Sequence, residues 1–284
     1  MKLTSLLGNS QRLDGGAMYG NAPRPMWEKW SPPDALHRIP LACRCLLIED
    51  GDRKILAETG IGTYMAPALR ERFGVVESEH RLLLALEQRG ISPAEITHVV
   101  LSHLHFDHAG GALLPYEEGQ PLRLAFPNAT WLVGAEAFAR AERPHARDRA
   151  SFIPGFSQLL RETGRLHLIH GADDHPLGAA YSFSFSDGHT PGLTMLNVHG
   201  KRRILFASDM IPGVPWVHLP ITMGYDRFPE RLIEEKETYL SSLEAEGGAL
   251  FFTHDPHTAL SGVKRDDKGR FSAVGLVATL EELN

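Results

Sequence analysis

Three histidines and an aspartate fall within six residues, His103-Leu-His-Phe-Asp-His108, between the apolar run His98-Val-Val-Leu-Ser102 and Ala109-Gly-Gly111. The run is short and rich in β-branched residues, which marks a buried strand, so the cluster lies on the loop at a strand's C-terminal end. Imidazole nitrogens and carboxylate oxygens are the donors that zinc and similar divalent cations take. Side chains two apart in extended chain project to one side, so His103 and His105 can share an ion while Asp107 and His108 turn toward a neighbouring position. Zinc needs about four donors. This loop alone cannot complete two coordination shells, and the fold must bring it more.

Three further donors follow apolar runs: His189 in Asp187-Gly-His-Thr-Pro-Gly192, Asp209 in Phe206-Ala-Ser-Asp209, and His254 in Phe251-Phe-Thr-His254. If these strand-end loops converge, His103, His105 and His189 serve one ion, Asp107, His108 and His254 the other, and Asp209 bridges both. Two cations about 3.5–4 Å apart lower the pKa of a shared water and polarise the carbonyl or phosphoryl oxygen under attack. No side-chain nucleophile is then needed, and none is evident. There is no Gly-x-Ser-x-Gly, and Cys43 and Cys45, two apart in a strand-like run, read as reduced core thiols.

The chain is 43% hydrophobic and 23% charged, the makeup of an ordinary globule, and its formal net charge of -6 argues against a nucleic-acid partner. No run approaches the roughly 18 apolar residues of a spanning helix, and the N-terminal apolar run is too short for a secretory signal. No membrane association and a cytoplasmic location are expected. Residues 1–40, rich in Gly, Pro and Trp, read as an irregular segment packed on a single domain spanning 1–284. Within it Met18, Tyr19 and Trp27 are candidates for a pocket wall, secondary to a packing role. Asp50-Gly51 marks a hairpin between strands over 41–49 and 54–57. Helices are expected over 81–89, 92–95, 135–143 and 229–246. Strands are expected over 130–133, 166–170, 181–186, 194–199, 203–208 and 249–253, with an edge strand over 271–276. Arg140 to Arg149 reads as a solvated, lid-like excursion. Strands in two groups without βαβα alternation point to two packed sheets with helices outside.

The pattern His-x-His-x-Asp-His at 103–108, Gly-His-Thr-Pro-Gly at 188–192, Asp209 after an apolar strand and the late His254 together resemble the metallo-β-lactamase superfamily, in its order from Leu41 to His254. The resemblance implies an α/β fold, an αββα four-layer sandwich of two mixed β-sheets with outer helices. It also implies two divalent metal ions, zinc first and iron, manganese or cobalt as alternatives, on His103, His105, Asp107, His108, His189, Asp209 and His254. Among its branches the chain looks most similar to the N-acyl homoserine lactonases. It departs from them twice: Pro212 stands where they carry a Tyr three residues after the bridging Asp, and their Val-Asp-Thr-Gly loop is Ala57-Glu-Thr-Gly60. His218 and Tyr225 are therefore candidate catalytic substitutes, weighed against ordinary packing roles, and Glu58 is a candidate to hydrogen-bond a ligand histidine.

The expected reaction is the opening of an ester or lactone by hydroxide held between the ions, with Asp107 or Asp209 carrying the proton to the leaving oxygen. One alternative keeps the dinuclear centre and hydrolyses a phosphodiester or phosphotriester. Another is a mononuclear iron dioxygenase acting on a sulfur substrate. The expected partner is a small-molecule substrate, with a homodimer left open.

Overall fold

Regular structure begins earlier than the composition of residues 1–40 suggests. In the computed structural model, which describes residues 1–283, the segment Lys2–Asp14 is a strand, β1, paired antiparallel along most of its length with Arg38–Asp50, β2. The register shifts between Leu7 and Ser10, where Gly8 and Asn9 form a bulge and Asn9 takes φ 72°. Two residues that normally weaken a strand thus sit inside one, because a bulge accommodates them. The segment expected to be irregular over 1–40 is thus strand as far as Asp14 and again from Arg38. Between them the short helices Gly15–Tyr19 and Arg24–Trp27 stack Tyr19 between Trp27 and Trp216, with ring centroids 5.7 and 4.5 Å away.

The remaining strands in chain order are β3 (Arg53–Ala57), β4 (His98–Leu101), β5 (Thr130–Gly134), β6 (Leu166–Ile169) and β7 (Tyr181–Ser186). They continue with β8 (Leu193–His199), β9 (Arg203–Phe206), β10 (Ala249–Phe251), β11 (Leu260–Arg265), β12 (Phe271–Val277) and β13 (Glu281–Leu283). One sheet has the order β13-β1-β2-β3-β4-β5-β6 and the other β12-β11-β10-β9-β8-β7. Both are mixed: β3 to β6 run parallel in the first, and β9 and β10 run parallel in the second. The Asp50-Gly51 turn closes β2 on β3 as expected, and β12 is the edge strand anticipated near the C-terminus. Strand β11 and the helix Phe156–Glu162 lie outside the sequence-based expectations.

Period-two alternation sorts the side chains into layers. Leu46 and Ile48 of β2, Val100 of β4 and Leu132 of β5 meet Leu196, Ile204, Phe206 and Phe251 in one cluster between the sheets. Their strand neighbours Cys45, Leu47, Val99, Leu101, Trp131 and Val133 face the other way, under helices that contribute Leu82, Leu86, Phe138 and Phe156. On the far side, Leu205 and Leu250 pack beneath Leu232, Leu240 and Leu243 of the helix Pro229–Glu246. The order helix, sheet, sheet, helix is the αββα sandwich. Cys43 and Cys45 are buried free thiols. Among the described residues, no helix is long and apolar enough to cross a membrane.

The histidine loop is fixed by backbone contact with the turn after β3. Thr59 N donates to His108 O and Gly111 N to Gly60 O, both at 2.9 Å. A Cβ on Gly111 would lie 1.9 Å from Thr59 O, so only glycine permits this approach. Gly111→Ala should therefore lower the unfolding free energy by about 1–3 kcal/mol through overpacking. Gly171→Ala, where a Cβ meets nothing within 4 Å, should stay within about 0.5 kcal/mol. Denaturant titration of both variants checks this, and equal midpoints would contradict it.

Candidate metal centre

Strands of both sheets deliver polar side chains to one edge of the sandwich. β3 ends into Glu58, and β4 ends into Ser102 and His103. Asp107 and His108 follow on the short helix Phe106–Ala109. From the second sheet, the turn after β7 carries His189, the turn after β9 carries Asp209, and the chain after β10 carries His254. Thr194 N donates to Ser102 O at 2.8 Å, tying the two sets of loops together. The Gly188–Gly192 segment is both turn and donor. Asp187 accepts from Gly192 N at 2.8 Å, and a Cβ on Gly188 would strike Leu232 at 2.4 Å.

The seven sequence-predicted donors come together in two groups. His105 Nδ1 lies 3.0 Å from His103 Nε2 and 3.3 Å from His189 Nε2, and Asp209 Oδ2 is 3.1 Å from His189 Nε2. In the second group His108 Nε2 and His254 Nε2 are 3.2 Å apart, and Asp107 Oδ1 is 3.7 Å from His108 Nε2. The two oxygens of Asp209 face both groups: Oδ2 is 3.3 Å from His108 Nε2 and Oδ1 is 3.1 Å from His254 Nε2. All seven residues are buried, Asp107 the least so.

Acceptors behind the imidazoles decide which nitrogen faces inward. His189 Nδ1 donates to Asp226 Oδ1 at 2.9 Å, and His254 Nδ1 to Ala42 O at 2.7 Å. His108 Nδ1 donates to Glu58 Oε2 at 2.9 Å. Ser102 gives its own proton to Glu58 and so accepts from His103 Nδ1 at 2.9 Å. Each of these rings, when neutral, therefore turns an Nε2 lone pair toward the other donors and toward carboxylate oxygens. His105 Nε2 is buried without a partner. Converging lone pairs and carboxylates lack the positive charge that would hold them together, and divalent cations supply it, so the residues fit metal ions.

The same deficit appears in protonation. Burial, then the neighbouring imidazoles, holds His103 and His105 well below the ordinary histidine range. Burial opposes charge on His108 and His254 as well. It is outweighed by Glu58, Asp209 and Asp107 around His108 and by Asp209 at His254, which hold both well above that range.

Beside the donors lies a cleft walled by Leu13, Met18, Leu41, Phe73 and Phe106, with Tyr225 on its lining. Tyr225 thus stands with the donors, and burial, reinforced by Asp107 and Asp14, raises its pKa. His218 does not join them. Lys236 Nζ donates to the carbonyls of His218, Leu219 and Ile221 at 3.1, 3.1 and 2.9 Å, and the loop so anchored leaves His218 in a separate cavity beside Trp216 and Phe271. The expected catalytic candidacy of His218 is corrected accordingly. Met18 reaches the cleft, whereas Tyr19 and Trp27 are packed away from it. The Arg140–Arg149 segment is not merely solvated: Asp148 is buried on Arg140, and Arg147 and Asp148 line the cleft.

Sequence reasoning missed two positioning residues. Gln11 Nε2 donates to Asp107 Oδ2 at 2.7 Å from β1, and Asp226, which holds His189, also accepts from Met223 N at 2.6 Å. Neither belongs to a spaced pattern. Asp226→Asn should weaken divalent-metal retention by about 10–100-fold, because it removes the charged acceptor behind His189. Competition with a chromogenic chelator measures this, and retention equal to that of the unaltered protein would contradict the role.

Comparison with known proteins agrees with this geometry. N-acyl homoserine lactonase AiiA of Bacillus thuringiensis subsp. kurstaki is 31% identical over 244 aligned residues, covering 78% of this chain and 84% of that protein. A Mycobacterium tuberculosis protein described as a "Probable metallo-hydrolase" is 27% identical, covering 87% of this chain and 85% of its own. The solved structure of a probable metal-dependent hydrolase from Staphylococcus aureus matches with a TM-score of 0.86 at 23% identity, over 98% of this chain and 97% of that one. AidC, a dizinc quorum-quenching lactonase, matches at 0.76 and 21%, over 99% and 95%. These two structures speak for the fold. The sequence profile of the metallo-beta-lactamase superfamily matches residues 38–254, a span containing every donor described above. The chain therefore belongs to the metallo-β-lactamase superfamily, as a metal-dependent hydrolase.

Proposed function

We propose that the chain opens an ester or lactone bond in a small-molecule substrate, using two divalent cations, zinc in the first place, held by the two donor groups. The observation that carries this reading is Asp209, whose two oxygens lie 3.1–3.3 Å from nitrogens of both groups. When bound, such a cation pair lowers the pKa of a shared water and polarises the carbonyl oxygen under attack. The second donor group favours this reading over a mononuclear iron oxygenase, which has no use for Asp107, His108 and His254 as a set. The relative named as an N-acyl homoserine lactonase supports a lactone in particular.

The chain's own residues supply orientation and proton transfer. Gln11 fixes Asp107 through Oδ2, and Oδ1, which takes no bond from Gln11, can carry a proton to the leaving oxygen. Tyr225, its pKa raised by burial, keeps its proton at neutral pH and can donate it as a hydrogen bond to the substrate carbonyl. The apolar side chains of the cleft hold the acyl portion and exclude water. Neither thiol competes as a nucleophile, since burial pushes Cys43 up to about 12 and Cys45 well above the ordinary thiol range.

His105→Ala and Asp209→Ala should lose bound metal and turnover together, read by elemental analysis and an acyl-lactone assay. Turnover in a metal-free preparation would overturn the proposal. Tyr225→Phe should retain metal while kcat falls about 10²-fold, the scale of one lost oxyanion donor. A parallel assay of aryl phosphotriesters on the same metal-loaded sample should give the lower kcat/KM, and the reverse order would favour phosphoester chemistry.

A further inference from the structure

Arg140, Arg147 and Arg227 gather near the carboxylate of Asp148, with Asp226 beside Arg227. Asp148 takes Nε and Nη2 of Arg140 at 3.0 and 2.7 Å. Among the described residues, Arg147 and Arg227 form no ion pair, although both line the cleft with His105, Asp107, His189, Asp209 and His254. Each instead donates to backbone. Arg147 Nη2 reaches Gly224 O at 3.0 Å, and Arg227 gives Nε, at 3.0 Å, and Nη2 to Tyr225 O.

Those bonds tie the 145–151 segment to the turn that carries Tyr225, but they use only part of each guanidinium. Arg227 Nη1 is buried without a partner. A guanidinium does not shed its proton, so this buried donor stays charged and unpaired. Burial, then repulsion from Arg147, already disfavours charge on Arg227. Asp148 Oδ1 is also buried and unpaired, and Asp148 and Asp226 both act on Arg227, but Asp148 is engaged by Arg140 and Asp226 by His189, so neither forms an ion pair with it. A neutral acyl chain entering the cleft would offer these groups nothing. An oxyanion would satisfy Arg227 Nη1 and draw in the exposed side chain of Arg147.

We infer that Arg147 and Arg227 form an anion subsite beside the metal donors, so that the preferred ester or lactone carries a second, unreacting oxyanion, a carboxylate in the simplest case. The inference rests on the proposed ester or lactone hydrolysis. The two substrate ends divide the cleft: the scissile carbonyl goes to the Asp209 side, and the spectator anion goes to the arginines. The attraction of such substrates to the two guanidinium groups weakens as salt screens it.

The test uses the metal-loaded full chain and two esters with one leaving group, mono-4-nitrophenyl glutarate and its terminal carboxamide. The carboxylate ester should be preferred by about tenfold in kcat/KM at low salt, the scale of one charge-assisted hydrogen bond. That ratio should shrink at high salt and fall toward one in Arg147→Gln/Arg227→Gln. Arg147→Gln, a change at an exposed position, provides a second variant should the double substitution unfold, and its ratio should fall part of the way. Calorimetric titration with glutarate against glutaramate should show the same preference and the same loss. A wild-type ratio near one, or a ratio and binding preference unmoved by either variant, overturns the subsite. Failure to turn over either ester, with the glutarate preference present and lost in the variants, instead overturns ester hydrolysis and leaves the subsite standing.

Discussion

The structure depends on the outward hydrogen bonds of its buried imidazoles. Asp226, Ala42, Glu58 and Ser102 each hold an Nδ1 of His189, His254, His108 and His103, and by doing so turn the opposite nitrogens toward Asp209. Buried polar groups are stabilising only when partnered, and these four rings are partnered on their outer side and left open on their inner one. The arrangement suits a site whose missing partners are cations. It also explains why donors from two sheets can be held to hydrogen-bond distances without a continuous backbone element joining them.

Glu58 is the node of that outer side. It takes hydroxyl protons from Ser102 and Ser208, the latter at 2.7 Å, and receives His108 at 2.9 Å. Both Glu58 and Ser208 adopt left-handed backbone, with φ of 59° and 47°. Such conformations cost of order 1–3 kcal/mol each in non-glycine residues and persist where the surroundings over-determine them. Here one residue from each sheet accepts that strain to meet at a shared carboxylate. A glutamate, one methylene longer than the aspartate of the related loop, still reaches the histidine behind the donors.

Much of this was legible in the sequence, for a physical reason. His103, His105, Asp107 and His108 share a spacing that only a common target explains, and His189, Asp209 and His254 each end an apolar strand. The layered fold was legible because period-two apolar runs sort themselves onto two faces. What escaped notice lacked a period. Gln11 was hidden because Gly8 and Asn9 disguise β1, which only the bulge against β2 reveals. Asp226 is one carboxylate among many until the fold sets it behind His189. Tyr225 and His218 were indistinguishable along the chain. Three carbonyl bonds from the buried Lys236 separate them, a long-range anchor that no local pattern encodes. The Arg140–Arg149 run looked solvated because the Gly224 carbonyl that Arg147 reaches lies 77 residues further along the chain.

In the proposed function the Asp209 carboxylate joins two metal positions. The most direct measurement is anomalous diffraction at the zinc absorption edge from crystals of the zinc-loaded protein. The account predicts two peaks, one among His103, His105 and His189 and one among Asp107, His108 and His254, each bonded to a different oxygen of Asp209. A single peak, or two peaks of which one makes no contact with Asp209, would contradict it.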